Sequence, residues 1–117
     1  MLKTIPQLIA IASENQRKVS AEQAQNEINE NKGLLIDVRE PAEHAVSNAI
    51  GAINLPRGVL EMKLLEIEKD PNRALYLHCA TGGRATLAAE QLSRIGYNNV
   101  TVISCKSDQV IKTFKRP

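Results

Sequence analysis

An α/β fold, with a mostly parallel sheet of about five strands and helices on both faces, is predicted by three observations. Short apolar runs alternate with segments of helical period, each joined by a few residues. The run Leu34 to Val38 is apolar apart from Asp37, the pattern of a strand covered on both faces. Finally, Ala74-Leu75-Tyr76-Leu77-His78-Cys79 opens as a buried strand, passes Gly82, Gly83 and Arg84, and continues with helical spacing. In such sheets ligands sit beyond the carboxyl ends of the strands, where Arg39, Cys79 and Cys105 are all expected.

The chain's 117 residues and 12.9 kDa fit one domain with a real core. Within it, residues 1–17 read as a helical extension and residues 18–117 as the α/β domain. A net charge of +2 and only three aromatic residues argue against nucleic acid as a partner. No apolar stretch is long enough for a membrane span. Two cysteines are too few for a disulfide framework, and two histidines with no C-x-x-C pair argue against a metal site. Free thiols suit a reducing, cytoplasmic setting.

In chain order, Thr4-Ile5-Pro6 starts a helix over residues 5–16 with Leu8, Ile11 and Ala12 on its inner face. Pro6 and Gln7 interrupt the apolar run, so a signal peptide is disfavoured. The helix is free to cap the domain or to pair with a second copy as a homodimer. Lys18-Val19 is an edge strand. Ser20 to Gln23 is a capping box for a helix with Ala21, Ala24 and Ile28 inward, stopped at Asn31-Lys32-Gly33.

After Leu34 to Val38, Pro41 begins a short helix at its first position. His44 reads as a partly exposed helix residue without a partnered carboxylate. Asp37 and Arg39 read first as a structural ion pair or hydrogen-bond hub. Ala52 to Leu55 is a strand ended by Pro56, and a helix follows to about residue 69, with Met62 as filler near the core. Asp70-Pro71-Asn72 is a turn. Ala85, Ala88, Ala89 and Leu92 share one helical face, and Gly96 closes that helix. Val100 to Ile103 is the last strand. A terminal helix packs Val110, Ile111 and Phe114, and Lys115-Arg116-Pro117 should fray.

The chemistry follows from the Cys79 stretch. A strand that turns directly into a helix places the sulfur at the helix N-terminus, among unpaired N–H groups and the positive end of the dipole. Gly82 and Gly83 allow the loop amides to curl inward as a cup. Helix N-termini and nearby arginines favour thiolates, which makes Cys79 the candidate nucleophile and Ala80, Thr81, Gly82, Gly83 and Arg84 the candidate substrate-binding loop. Cys105 is either an unpaired small residue or a relay or resolving thiol.

From Cys79 to Arg84 the spacing is C-x4-R. Tyrosine and dual-specificity phosphatases resemble it, but their loop is one residue longer to encircle a phosphate. The shorter loop resembles that of the rhodanese-like sulfurtransferases. Two further motifs carry the resemblance. Leu34-Leu35-Ile36-Asp37-Val38-Arg39-Glu40-Pro41-Ala42-Glu43 is similar to the family's opening strand with D-V-R-x-x-x-E, and Gly51-Ala52-Ile53-Asn54-Leu55-Pro56 to its G-A-x-N-I-P element. The chain departs from the family at Ser47-Asn48-Ala49, where G-H-I is usual, and beyond Ser104, where a glycine pair and a tryptophan helix often follow.

The resemblance implies a rhodanese-like fold and sulfur transfer with no metal or organic cofactor. Cys79 would take a sulfane sulfur from thiosulfate or a persulfide and pass it, as Cys79–S–SH, to cyanide, a thiol or a protein relay partner. Arg84 would order the loop, and the amides of Ala80 through Arg84 would stabilise the sulfur charge. Asp37 and Arg39 would lie near the site mouth as supporting residues. Ala80 stands where many thiosulfate-using relatives carry a basic residue, which leaves a protein or low-molecular-weight persulfide open as the donor. The other readings are a non-catalytic binding or regulatory module and, disfavoured by loop length, a phosphatase or arsenate reductase.

Overall fold

The computed structural model describes residues 1–115; the fraying expected of Arg116 and Pro117 lies outside the described residues. The elements follow in the order α1 (Ile5–Ser13), β1 (Arg17–Val19), α2 (Ala21–Asn31), β2 (Leu34–Asp37), α3 (Pro41–Val46) and β3 (Ile53–Asn54). A short 3-10 turn (Arg57–Val59) leads into α4 (Leu60–Ile67), then β4 (Leu75–His78), α5 (Gly83–Ile95), β5 (Val100–Ile103) and α6 (Ser107–Thr113).

The strands form one five-stranded sheet in the order β1-β5-β4-β2-β3, and every pairing is parallel. From β2 the chain moves outward to β3, and from β4 outward in the opposite direction to β5. The carboxyl ends of β2 and β4 therefore flank the crevice at which order reverses, the place where open parallel sheets bind ligands.

Alternation along the strands divides the core into two layers. Ile36, Val38, Leu75, Leu77 and Cys79 face α4 and α5, where they meet Leu60, Leu64, Ala85, Ala88, Ala89 and Leu92. Leu35, Tyr76 and Ile103 face α2 and α6, against Ala21, Ala24, Val110 and Phe114. A fully buried leucine such as Leu77 or Leu92 contributes about 2 kcal/mol relative to exposure. The alanine row of α5 brings that helix close to the sheet, so its N-terminus meets the end of β4.

The helix ends follow local chemistry. Thr4 Oγ1 accepts from the Gln7 N–H at 3.2 Å while Gln7 Oε1 accepts from the Thr4 N–H at 2.7 Å, a reciprocal cap. Ser20 caps α2 by accepting from the Gln23 N–H, and Lys32 ends that helix in the left-handed region at φ 58°. Gly96, at φ 125°, terminates α5 in a conformation that favours glycine.

Two packing expectations need correction. Helix α1 ends at Ser13, and it buries Ala12 and half-buries Ile9, while Leu8 and Ile11 are exposed. The face that packs on α5 is rotated from the one read off the apolar spacing, because Ile5, Leu8 and Ile11 form a second apolar row that leaves the helix ambiguous. Met62 is 63% exposed and fills no core; Leu60 and Leu64 already occupy the buried face of α4.

Candidate functional site

Strand β4 stops at His78, and Cys79 begins a tight loop that Gly82 turns into α5. Gly82 sits at φ 98°, where an L-residue is strained, and caps the helix. The result aims the helix N-terminus at the sulfur: Cys79 Sγ accepts from the Gly82 N–H at 3.1 Å and from the Ala85 N–H at 3.3 Å. The Thr86 N–H and hydroxyl both donate to the Gly82 carbonyl, at 2.9 and 2.8 Å, and pin the turn. The Ser107 N–H donates to the Ala80 carbonyl at 3.0 Å and ties the loop to the start of α6. Cys79 itself is only 1% exposed, so the thiol is covered while peptide groups point towards it.

Of the predicted loop residues, Gly82 supplies an amide to the sulfur. Ala85, outside the predicted set, supplies the other. Its signal was available, because the third helical residue after a capping glycine carries one of the free N–H groups of the first turn.

Arg84 turns to α3, where its guanidinium donates to both oxygens of Glu43, at 2.7 and 3.1 Å. This pairing raises the pKa of Arg84. On the acid, the Arg84 hydrogen bonds, joined by the Glu40 N–H, hold the Glu43 carboxyl down at about 2. Both side chains are about a third exposed, so solvent screens the pair. It fastens the loop to the segment after β2.

Asp37 and Arg39 form a buried fork at the end of β2. Arg39 Nε and Nη2 donate to the Asp37 oxygens at 2.9 and 2.7 Å, and the Arg39 N–H adds a bond of 2.9 Å. Burial pushes the Asp37 carboxyl up, but the bonds from Arg39 and His44 outweigh it and leave its pKa lowered. Here the sequence reading of His44 is corrected: its Nδ1 lies 2.9 Å from Asp37 Oδ2, a carboxylate seven residues earlier that sequence spacing does not signal. Asn54 adds side-chain bonds to the carbonyls of Asp37 and Arg39, both at 3.0 Å. These contacts make a hub that holds the ends of β2, α3 and β3 together.

His78 lies beside Asp37 on the neighbouring strand, fully buried, and neither ring nitrogen completes a hydrogen bond among the described residues. Burial holds its pKa down at about 4, so the ring is neutral at physiological pH. Cys105 is partly buried, packs with the α2 and α6 layer and accepts from the Ala21 N–H at 3.3 Å. Cys79 belongs to the α4 and α5 layer, so the two thiols sit in different layers of the core. Among the described residues no group of His, Cys, Asp or Glu could hold a metal ion, and no helix is long and apolar enough to cross a membrane.

Comparison with known proteins gives a consistent result. The model of the family described as Rhodanese-like domain matches residues 20–106. The chain is 36% identical over 67 residues to a sulfurtransferase of Allochromatium vinosum, covering 57% of this chain and 61% of that protein. It is 32% identical over 65 residues to the thiosulfate sulfurtransferase PspE of Escherichia coli K12, covering 56% of this chain and 62% of the relative. It thus spans about three-fifths of the length of these curated relatives. Among solved structures, the polysulfide-sulfur transferase homodimer of Wolinella succinogenes superposes with a TM-score of 0.76 at 26% identity, covering 90% of this chain and 80% of that one.

Proposed function

Because the chain belongs to the rhodanese-like domain family, we propose that it is a sulfurtransferase carrying a sulfane sulfur as a persulfide on Cys79. The observation that carries this reading is the pair of N–H groups, from Gly82 and Ala85, directed at Cys79 Sγ. In the first step the Cys79 thiolate attacks the outer sulfur of thiosulfate or of a persulfide. The sulfur–sulfur bond of the donor breaks, sulfite or a thiolate leaves with the electron pair, and Cys79 holds the outer sulfur. In the second step cyanide or an acceptor thiolate attacks that sulfur, and Cys79 departs as thiolate. The two amides stabilise negative charge on sulfur in both steps without reorganising. Arg84, clamped by Glu43, keeps the loop in register.

A relay protein is a further candidate acceptor, a reducing cytoplasm the setting we propose for the two free thiols, and pairing of two copies through Ile5, Leu8 and Ile11 a role for α1. A second reading, a non-catalytic docking module, is favoured by one observation, the burial of Cys79. Intact mass spectrometry after incubation with thiosulfate separates the two. We expect one added sulfur atom, absent in Cys79→Ser and removed by cyanide. A protein that takes up no sulfur from thiosulfate or a small persulfide, yet forms a stable complex with another protein, is the docking module.

A further inference from the structure

Beside the Cys79 loop lies a cleft of about 250 Å³, walled by Ile9 of α1, Lys18 of β1, Thr81, Gly82 and Gly83 of the loop, and Ser104 beyond β5. Gly82 belongs to both places. Its N–H points at Cys79 Sγ and the residue also lines the cleft, so the cleft abuts the loop that holds the sulfur, although Cys79 is not itself among the lining residues. Ile9 and Lys18 lie before residue 20, outside the segment matched by the family. This wall is therefore supplied by the N-terminal extension and the edge strand. Ile9 is held hard against the loop: a Cβ placed on Gly83 would come within 3.1 Å of Ile9 Cδ1.

Charge distinguishes the cleft from the rest of the site. Arg84 is neutralised by Glu43, and Arg39 by Asp37. Lys18 Nζ donates to the Ser13 hydroxyl at 2.9 Å, a neutral partner, and the residues lining the cleft include no carboxylate. A lysine with no carboxylate partner among the described residues, lining the same cleft as Ser104, suits an anion, and apolar Ile9 and Val102 suit a short methylene chain. The Ser104 hydroxyl itself donates to the Val19 carbonyl at 3.3 Å. A water molecule's share of liquid volume is about 30 Å³, so the cleft takes a ligand of amino-acid size, below the roughly 300–1,000 Å³ of sites for drug-sized ligands.

We propose that this cleft is an acceptor subsite in which Lys18 holds the carboxylate of a small thiol while the thiol's sulfur addresses Cys79. The proposal rests on the sulfurtransferase reading above. The acceptor thiolate attacks the outer sulfur of Cys79–S–SH, the bond between the two sulfurs breaks, and Cys79 leaves as thiolate. The product is the acceptor's persulfide, R–S–SH, so atoms and charge balance with no added oxidant or reductant.

The test loads Cys79 with sulfur from thiosulfate and then offers mercaptopropionate or mercaptopropanol, which carries a hydroxymethyl group in place of the carboxylate. The ratio of the two transfer rates is compared in wild type, Lys18→Met and Lys18→Arg. Lys18→Met should lower the ratio about three- to fivefold, the size of an exposed ion pair, and Lys18→Arg should keep it. An unchanged ratio in Lys18→Met overturns the subsite. Failure of Cys79 to take sulfur at all defeats the sulfurtransferase reading instead. In that event, amide shifts of Lys18, Gly82 and Gly83 on adding mercaptopropionate judge the cleft. Shifts lost in Lys18→Met support it, and shifts that are absent or persist in Lys18→Met overturn it.

Discussion

Cys79 and Cys105 make a natural comparison. Each follows a strand of the same parallel sheet, and each accepts a hydrogen bond from the first turn of a helix. They differ in how the donor is supplied. Cys79 receives two N–H groups from the loop and helix that continue directly from it. Cys105 borrows one, from Ala21, at the start of a helix 84 residues earlier in the chain. The first arrangement is local, set by a glycine turn. The second holds only while α2 stays docked. A sulfur at a helix N-terminus is thus not distinctive by itself; what sets Cys79 apart is the convergence of two amides from one continuous loop.

The comparison can be broken most directly by exchanging the thiols for hydroxyls. Cys79→Ser should cut sulfur uptake by at least about a thousandfold, the scale on which nucleophiles matter. Cys105→Ser should keep most of it, as read by intact mass and by the rate of thiocyanate formation. Comparable losses in both variants would make Cys105 a working relay thiol.

The residues that precede the two thiols sharpen the contrast, since a buried His78 stands before Cys79 and an exposed Ser104 before Cys105. The His78 ring is held neutral down to about pH 4, whereas in the unfolded chain it takes up a proton below about 6.5. Stability is therefore full above pH 6.5 and declines as the pH falls from 6.5 towards 4, by about 3 kcal/mol in total. The groups facing the ring, Asp37, Arg39 and His44, set its local field. His78→Leu should flatten this slope in urea titrations run at each pH; an unchanged slope assigns the acid sensitivity elsewhere.

A smaller effect belongs to the turn itself. Gly82→Ala places an L-residue at φ 98°, at a cost of about 1–2 kcal/mol, although the added Cβ would meet nothing nearer than the Ser104 carbonyl at 4.0 Å. Sulfur uptake at Cys79 should fall while alkylation of Cys105 stays unchanged. Equal uptake in the variant means that the Gly82 amide is dispensable.

The smallest effect is expected at Glu43. Glu43→Gln should cost less than about 1 kcal/mol near neutral pH, because its pair with Arg84 is screened. The carboxyl is held at about 2, so its contribution is present above its unfolded value near 4.5 and is lost as the pH falls through 2. Thermal melts of both proteins at pH 7 and pH 2 should differ at the first and converge at the second.

Much of this was legible in the chain itself. The alanine row of α5, the start of α1, the Ser20 cap of α2, its stop at Asn31-Lys32-Gly33 and the turn before α5 all depend on residues within a few positions of one another. Periodicity and capping chemistry act over that range, so reading them needs no knowledge of neighbours. The motif order also led to the family. The inner face of α1 was read only in part: Ala12 is buried as expected but Leu8 and Ile11 are not, because the helix carries two apolar rows and its packing on α5 selects between them. His44 looked unpartnered because its carboxylate lies on a preceding strand.

By itself, then, the sequence determined the alternation of strands and helices and the presence of a glycine turn and helix start beneath Cys79. Tertiary structure alone decided that Arg84 is spent on Glu43, that Cys79 and Cys105 face different layers, and that Lys18 borders the loop. The physical reason is range. Backbone hydrogen bonding and helical period are set by adjacent residues, whereas ion pairs and clefts are set by which strands become neighbours. The order β1-β5-β4-β2-β3 brings together residues that the chain keeps far apart.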